Sequence, residues 1–329
     1  VVGGATRLTQ SGLSITEWRP VRGILPPLDD AQWQAELDRY RGSPEARIVN
    51  PGITLDAFRR IFWWEYAHRL LARLVGLAFL LPYLWFLLRG ALDRRLARRL
   101  GGVFLLGAAQ GALGWWMVTS GLVAEPRVSH FRLAAHLGLA LALFAALLWL
   151  ALDQARGGDP VADPSPAGDR TLRATIVGLV LLQSLAGALV AGSRAGLLYP
   201  TFPLMDGHWL PHGLRSGDVP LARALHDPAA IQFLHRTLAW ILLLAVIVLW
   251  WRAARGRPNA ARGREVHALL AATSLQFALG VATLLGHLPL SLALAHQAGA
   301  LLLLAAAVVA LRAAVAPRAA QARAAAASS

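Results

Sequence analysis

Four histidines stand one to a hydrophobic segment in this chain, and the pattern occurs twice. Glu65-Tyr66-Ala67-His68-Arg69 opens one apolar run, and Gln232-Phe233-Leu234-His235-Arg236 opens another. His136 lies near the start of the second-next run after His68, and His296 does the same after His235. An ionisable ring at membrane depth needs a partner. Two imidazoles on facing helices, among apolar neighbours, suit the iron of a porphyrin. Tetrahedral zinc takes closely spaced ligands, usually with Cys or carboxylate among them, and one His per helix does not match that pattern. The spacing therefore predicts two haem sites, one in each half of the chain.

The segments that must carry these residues are membrane spans. Hydrophobic residues make up 56% of the 329 residues, charged residues 15%, and the mean hydropathy is +0.50. Runs with almost no charge are Leu74–Leu88, Gly101–Ala124, Leu133–Leu152, Ala174–Ser193, Thr237–Trp251, Val266–Gly286 and Leu288–Leu311. A helix needs roughly 20 residues to cross the hydrocarbon. The two shortest runs reach that length only by starting upstream, at about Phe62 and Ala230, which brings His68 and His235 into their first turns. Seven complete spans follow. Val1-Val2-Gly3-Gly4 reads as the last turn of an eighth, truncated span. The fold class expected is an all-α membrane protein of eight transmembrane helices, arranged as two pseudo-symmetric four-helix bundles. The N-terminal half covers 1–152, a cytoplasmic linker 153–173, the C-terminal half 174–315 and a cytoplasmic tail 316–329.

Every basic residue is Arg. The connections Arg89–Arg99 and Arg252–Arg264 and the tail from Arg312 are rich in Arg and nearly free of acid, which places them on the cytoplasmic side. The formal net charge of +14 is thus mostly a topology signal. Arginines flanking spans do not form the single soluble patch that nucleic acid would need. Cysteine is absent, which excludes covalent c-type haem attachment and iron–sulfur ligation by the chain. The long first outward loop, Arg7–Arg60, must then be held by packing, for which Trp18, Trp33, Pro20, Pro26 and Pro27 are candidates.

The halves match by spacing. His68 to Gln110 is 42 residues and His235 to Gln276 is 41. Gln110-Gly111-Ala112-Leu113-Gly114 parallels Gln276-Phe277-Ala278-Leu279-Gly280. Four helices per half make the repeat parallel, about an axis along the membrane normal. The other histidines read as structural. His208, His212 and His226 fall in an outward loop, His267 starts a helix and His287 sits at a turn. His130, six residues before His136, is a candidate to line the site. Arg69 and Arg236 suit either snorkelling to the interface or pairing with haem propionates.

One difference between the halves carries chemical meaning. Glu65 in the first is Gln232 in the second. Glu65 shares a helix face with His68, and a carboxylate at this depth is costly unless used. It reads as a catalytic acid/base or charge stabiliser beside one porphyrin only. The second half, with neutral Gln232, would hold a haem that relays electrons.

These residues resemble haem A synthase of the proteobacterial and mitochondrial type. The likeness covers essentially the whole chain. It rests on Gly3-Gly4-Ala5-Thr6-Arg7-Leu8-Thr9-Gln10-Ser11-Gly12-Leu13-Ser14, Trp18-Arg19-Pro20, Gly23-Ile24-Leu25-Pro26-Pro27, the Glu65–Arg69 motif, His136, His235-Arg236 and His296. The resemblance implies an eight-helix oxidoreductase that converts haem O to haem A for cytochrome oxidase biogenesis. A porphyrin methyl group becomes a formyl group through successive hydroxylations. It implies haem O between His68 and His136, a haem b cofactor on His235 and His296, and Glu65 as the functionally important glutamate. The partners implied are a haem O synthase and cytochrome oxidase assembly factors. Trp and Gly on lipid-facing helices also permit a homo-oligomer. The location implied is the bacterial inner membrane rather than the mitochondrial one, in keeping with the all-Arg, Ala-rich text. Some members carry a Cys pair in an outward loop, and this chain does not. The competing reading is a diheme membrane cytochrome that only transfers electrons. A transporter ranks third, because the polar groups gather toward the outward face rather than at mid-membrane.

Overall fold

The computed structural model describes residues 1–19, 22–123, 126–155, 167–255 and 260–315. Pro20, most of the predicted 153–173 linker, part of the Arg252–Arg264 connection and the 316–329 tail lie outside the described residues. Among the described residues the chain is helical, with one isolated β-bridge between Met205 and His208. Seven helices are long and apolar enough to cross a membrane. These are α4 (Leu55–Leu88), α5 (Arg94–Thr119), α6 (His130–Ala155), α7 (Ala167–Ser193), α9 (Pro228–Arg255), α10 (Ala260–Leu285) and α11 (Leu290–Ala314). The short helices are α1 (Val2–Leu8), α2 (Asp30–Arg41), α3 (Pro44–Ile48) and α8 (His212–Ser216).

The chain divides into two compact units, Val1–Leu139 and Ala140–Ser329, with the boundary inside α6. In the first unit α1 and α5 pack on α4. In the second, α7 packs on α9, α9 on α10, α10 on α11, and α11 back on α7, closing a four-helix bundle. Its interior is filled by Ile176, Val180, Leu242, Val246, Leu249, Leu269 and Leu304. Buried Ala186, Ala188, Ala307 and Ala310 let the backbones approach, as expected where lipid supplies no hydrophobic drive between helices. Large side chains such as Leu81, Leu88, Leu244 and Leu302 point outward and are exposed in the bare protein. Lipid is the solvent that suits them.

Both short apolar runs do begin upstream, α4 at Leu55 and α9 at Pro228. The extension of α4 has a packing cause. Its first turns carry Phe58 and Phe62, which lie four apart on one face. Both rings contact Trp33 of α2, at centroid separations of 6.5 and 5.0 Å. Trp33, Leu37, Tyr40, Ala46, Phe58, Phe62 and Tyr66 form one buried cluster. The first outward loop is therefore a small helical cap on α4. Trp33 holds it as expected, whereas Trp18 is exposed and stacks on Trp115 of α5 at 6.0 Å. The helices of the cap begin at side-chain caps. Asp29 accepts from the Gln32 amide at 2.8 Å, and Ser43 from that of Ala46 at 3.2 Å, with Pro44 at the first helical position.

A buried carboxyl sits inside this cap. Tyr40 donates its hydroxyl to Glu45 Oε2 at 3.2 Å and accepts from Asn50 Nδ2 at 2.7 Å. Burial pushes the Glu45 carboxyl up to about 7. The folded protein thus holds a proton there that the unfolded chain releases near its ordinary value. Stability contributed at this site is full below about pH 4.5, falls as the pH rises to about 7, and stays low above it. The total change is about 3 kcal/mol at most. Glu45→Gln should flatten this slope and stabilise the cap at pH 8. Hydrogen exchange of α2 and α3 measured from pH 5 to pH 8 checks it, and an unchanged slope in the variant would refute the assignment.

Candidate functional site

Each of the four repeated histidines lies nearer the N-terminal end of its helix, and each ring rests against a glycine on a neighbouring helix. A Cβ added to Gly3 of α1 would stand 2.9 Å from His68 Cε1. One added to Gly114 of α5 would stand 2.8 Å from His136 Cε1. The same edge of His235 faces Gly187 of α7 at 3.1 Å, and that of His296 faces Gly280 of α10 at 2.9 Å. Approach this close requires the absence of a side chain. The structure therefore seats all four rings in one manner. His68 and His136 lie in the first compact unit, and His235 and His296 in the second.

Glutamines lie beside two of the rings and against the carbonyl of a third histidine. Gln110 Nε2 stands 3.1 Å from His136 Nδ1 and donates to the His136 carbonyl at 3.0 Å. Gln276 Nε2 donates to the His296 carbonyl at 2.9 Å. Gln183 Nε2 lies 3.4 Å from His235 Nε2. The Nδ1 atoms of His235 and His296 are buried and have no hydrogen-bond partner. Among the described residues no three His, Cys, Asp or Glu side chains gather into a metal-ligand group. The donors available are imidazoles set two to a compact unit, of which His235 and His296 each leave Nδ1 unsatisfied; imidazoles without thiolate or carboxylate neighbours fit a porphyrin iron and do not fit tetrahedral zinc.

Glu65 is buried, and every bond it makes is to the protein. Its Oε2 accepts from Ser14 Oγ and from the Ile15 amide, each at 2.8 Å. Its Oε1 accepts from Arg69 Nε at 3.0 Å and Nη2 at 2.6 Å. Arg69 in turn donates to the carbonyls of Ile15 and Glu17, at 2.8 and 3.1 Å. The pair Glu65–Arg69 thus pins the chain that follows α1 against α4. The second unit repeats the device without the acid. Arg236 donates to the carbonyls of Tyr199 and Leu204, at 2.6 and 3.3 Å, and Gln232 Nε2 to that of Tyr199 at 3.1 Å. The pinned loop turns tightly at Asp206-Gly207, both at positive φ, and sets Phe202 on Trp240 and Phe277. Both arginines are thus engaged with loop carbonyls, an arrangement sequence spacing did not reveal. Two of the partners of Glu65, Ser14 and Ile15, lie some fifty residues upstream and leave no periodic trace.

The remaining histidines fall outside the four glycine-seated positions. His208, His212, His226, His267 and His287 are exposed in the bare protein. His208 closes the bridge to Met205. His267 bonds the Gly263 carbonyl, and His287 occupies a left-handed turn with Leu288. His130 is the first residue of α6, its ring packed on Phe131.

A multi-pass helical protein with four glycine-seated histidines on its long apolar helices, two in each compact unit, is the class that fold and site define. The family model described as cytochrome oxidase assembly protein matches residues 1–308, and the chain belongs to that family. Three relatives carry the name Heme A synthase. One from Azorhizobium caulinodans is 50% identical over 313 residues, covering 94% of this chain and 88% of its own. One from Nitrosospira multiformis is 47% identical over 309 residues, covering 93% and 86%. One from Parvibaculum lavamentivorans is 46% identical over 301 residues, covering 92% and 86%.

Proposed function

We propose that the chain is a haem A synthase, an oxidoreductase that oxidises a methyl group of haem O to a formyl group by successive hydroxylations. The observation that carries this reading is the twice-seated histidine pair with a buried carboxylate beside one pair only. On this reading the protein has eight spans in two four-helix bundles. The substrate haem O lies between His68 and His136, and haem b between His235 and His296. Haem b supplies one-electron transfer. His235 and His296 would hold it, each through one ring nitrogen.

Glu65 is the catalytic group of the first half. Donors from Ser14, Ile15 and Arg69 occupy its carboxylate and fix the charge in place. Its role is to accept a proton or to stabilise positive charge developing on the substrate methyl carbon. The Arg69–Glu65 clamp also holds the Ser14–Glu17 segment against α4.

The Arg-rich connections face the cytoplasm, the membrane is the bacterial inner membrane, and the partners are the protein that delivers haem O and the factors that receive haem A. The test is to produce the chain in cells that make haem O and lack haem A. Haem A in the membrane extract supports the reading. Haem O left unchanged beside abundant folded protein counts against it and favours the electron-transferring diheme cytochrome.

A further inference from the structure

The chain that follows α1 runs along α4 before it turns back. Glu65 takes the Ile15 amide at 2.8 Å, Arg69 donates to the Glu17 carbonyl at 3.1 Å, and Arg73 donates to the Arg19 carbonyl at 2.9 Å. These three side chains stand four residues apart, so the contacts span about 12 Å of the helix. Tyr66 marks the return, donating to the Ile24 carbonyl at 2.6 Å. α4 ends at Leu88, just before the Arg-rich connection. A span of roughly 20 residues counted back from there begins near Arg69. Arg73 therefore stands about one turn inside the hydrocarbon boundary, and Tyr66 about one turn outside it. Irregular backbone at this level needs donors from the protein, and Tyr66, Arg69 and Arg73 supply them.

The side chains carried to this level are apolar and uncovered. Trp18 is 54% exposed, Ile24 45% and Leu25 69%. Trp18 stacks on Trp115, near the C-terminal end of α5, and the Arg69 guanidinium lies over the same ring. Trp63 and Trp64 of α4 and Trp116 of α5 are exposed as well. Tryptophan gathers where hydrocarbon meets water. The exposed surface of α4 continues from Trp64 to Leu71, Leu74 and Val75, so whatever covers the span here also reaches the loop. About 10 Å farther up α4 from Tyr66 the cap changes character. Arg59 pairs there with exposed Asp30 at 2.7 Å, and Gln34 and Asp38 of α2 are exposed.

We infer that Trp18, Ile24 and Leu25 form a membrane-surface contact, seated in the lipid headgroup layer at the N-terminal end of α4, while α2 stands in water. The inference rests on α4 crossing the bilayer. Apolar side chains at the headgroup–acyl boundary bind in proportion to the area they bury. This contact moors to the bilayer the same stretch of chain that Glu65 and Arg69 hold to the helix.

The chain has no Cys, so a single spin label can be placed without removing any residue elsewhere. The full-length protein in phosphatidylcholine nanodiscs is labelled in the variants Ile24→Cys and Leu25→Cys, so one that fails to fold leaves the other. Collisions of each label with oxygen, which concentrates in lipid, are compared with collisions with a water-soluble nickel chelate. Leu74→Cys is the lipid reference, and Gln34→Cys and Asp38→Cys are the water references. The preference for oxygen at Ile24 and Leu25 should exceed that at both water references and approach that at Leu74. A preference equal to the water references would overturn the inference. Shielding from both reagents would overturn it too, because protein rather than lipid would then cover the patch. Free access of nickel at Leu74 would instead overturn the span on which the inference rests.

Discussion

Glu65→Gln should leave the protein folded and haem-loaded while haem A formation falls about 10²–10⁴-fold, the range associated with loss of a positioned acid, base or charge. The tolerance is argued from the second unit. There Gln232 and Arg236 hold the Tyr199–Leu204 loop by the same carbonyl contacts, so an amide in this position is compatible with the local fold. Glutamine still offers one oxygen to Ser14 and Ile15. What it removes is the negative charge. Glu65→Leu is the contrasting variant. It strands Arg69 beside an apolar wall and removes the acceptor for Ser14 and the Ile15 amide, and breaking a buried pair in this way costs about 3–5 kcal/mol. The leucine variant should therefore lose stability as well as activity. Haem A output and thermal stability measured together on both variants separate the two effects. Wild-type output from Glu65→Gln would end the catalytic assignment.

His296→Ala should empty or disable the second haem site. Haem b bound to the purified protein should fall by more than the ~100-fold that loss of a supporting hydrogen bond can cost. Any haem that remains should change from low-spin to high-spin, because only His235 is left to ligate it. The ring sits on Gly280 with its Nδ1 unpaired, so alanine removes a ligand and little else that the bundle relies on. The core of Leu269, Leu303 and Leu304 is untouched. Haem stoichiometry and low-temperature spin resonance of the variant report the outcome. Unaltered stoichiometry and an unaltered low-spin signal would show that His296 is not an axial ligand.

Much of this arrangement is legible in the sequence because it repeats. Seven spans follow from hydropathy and length. His68 and His235 stand out because the apolar text around them has diverged between the halves while His-Arg has stayed, and His136 and His296 because each follows at a matching place in its half. The cap on α4 is less visible, since α2 is short and amphipathic and only Asp29 and Ser43-Pro44 mark where helices start. The glycine seats were hidden for a different reason. The chain has 30 glycines, and nothing in periodicity tells which of them will face a ring across a helix boundary. Gln110 and Gln276 were visible as matched text with no stated role. Gln183 was not visible at all, because its relation to His235 exists only where α7 meets α9. The same holds for Glu65, whose spacing from His68 could be read directly. Its bonds to Ser14 and Ile15 depend on how the chain after α1 folds back onto α4.

The most direct test of the central claim is to purify the protein in detergent, extract its haems and identify them by chromatography. Haem B together with haem O, its alcohol or haem A is the predicted result, since it places a cofactor and a substrate or product on one chain. Haem B alone at two per chain, or no haem of any kind, would contradict the account.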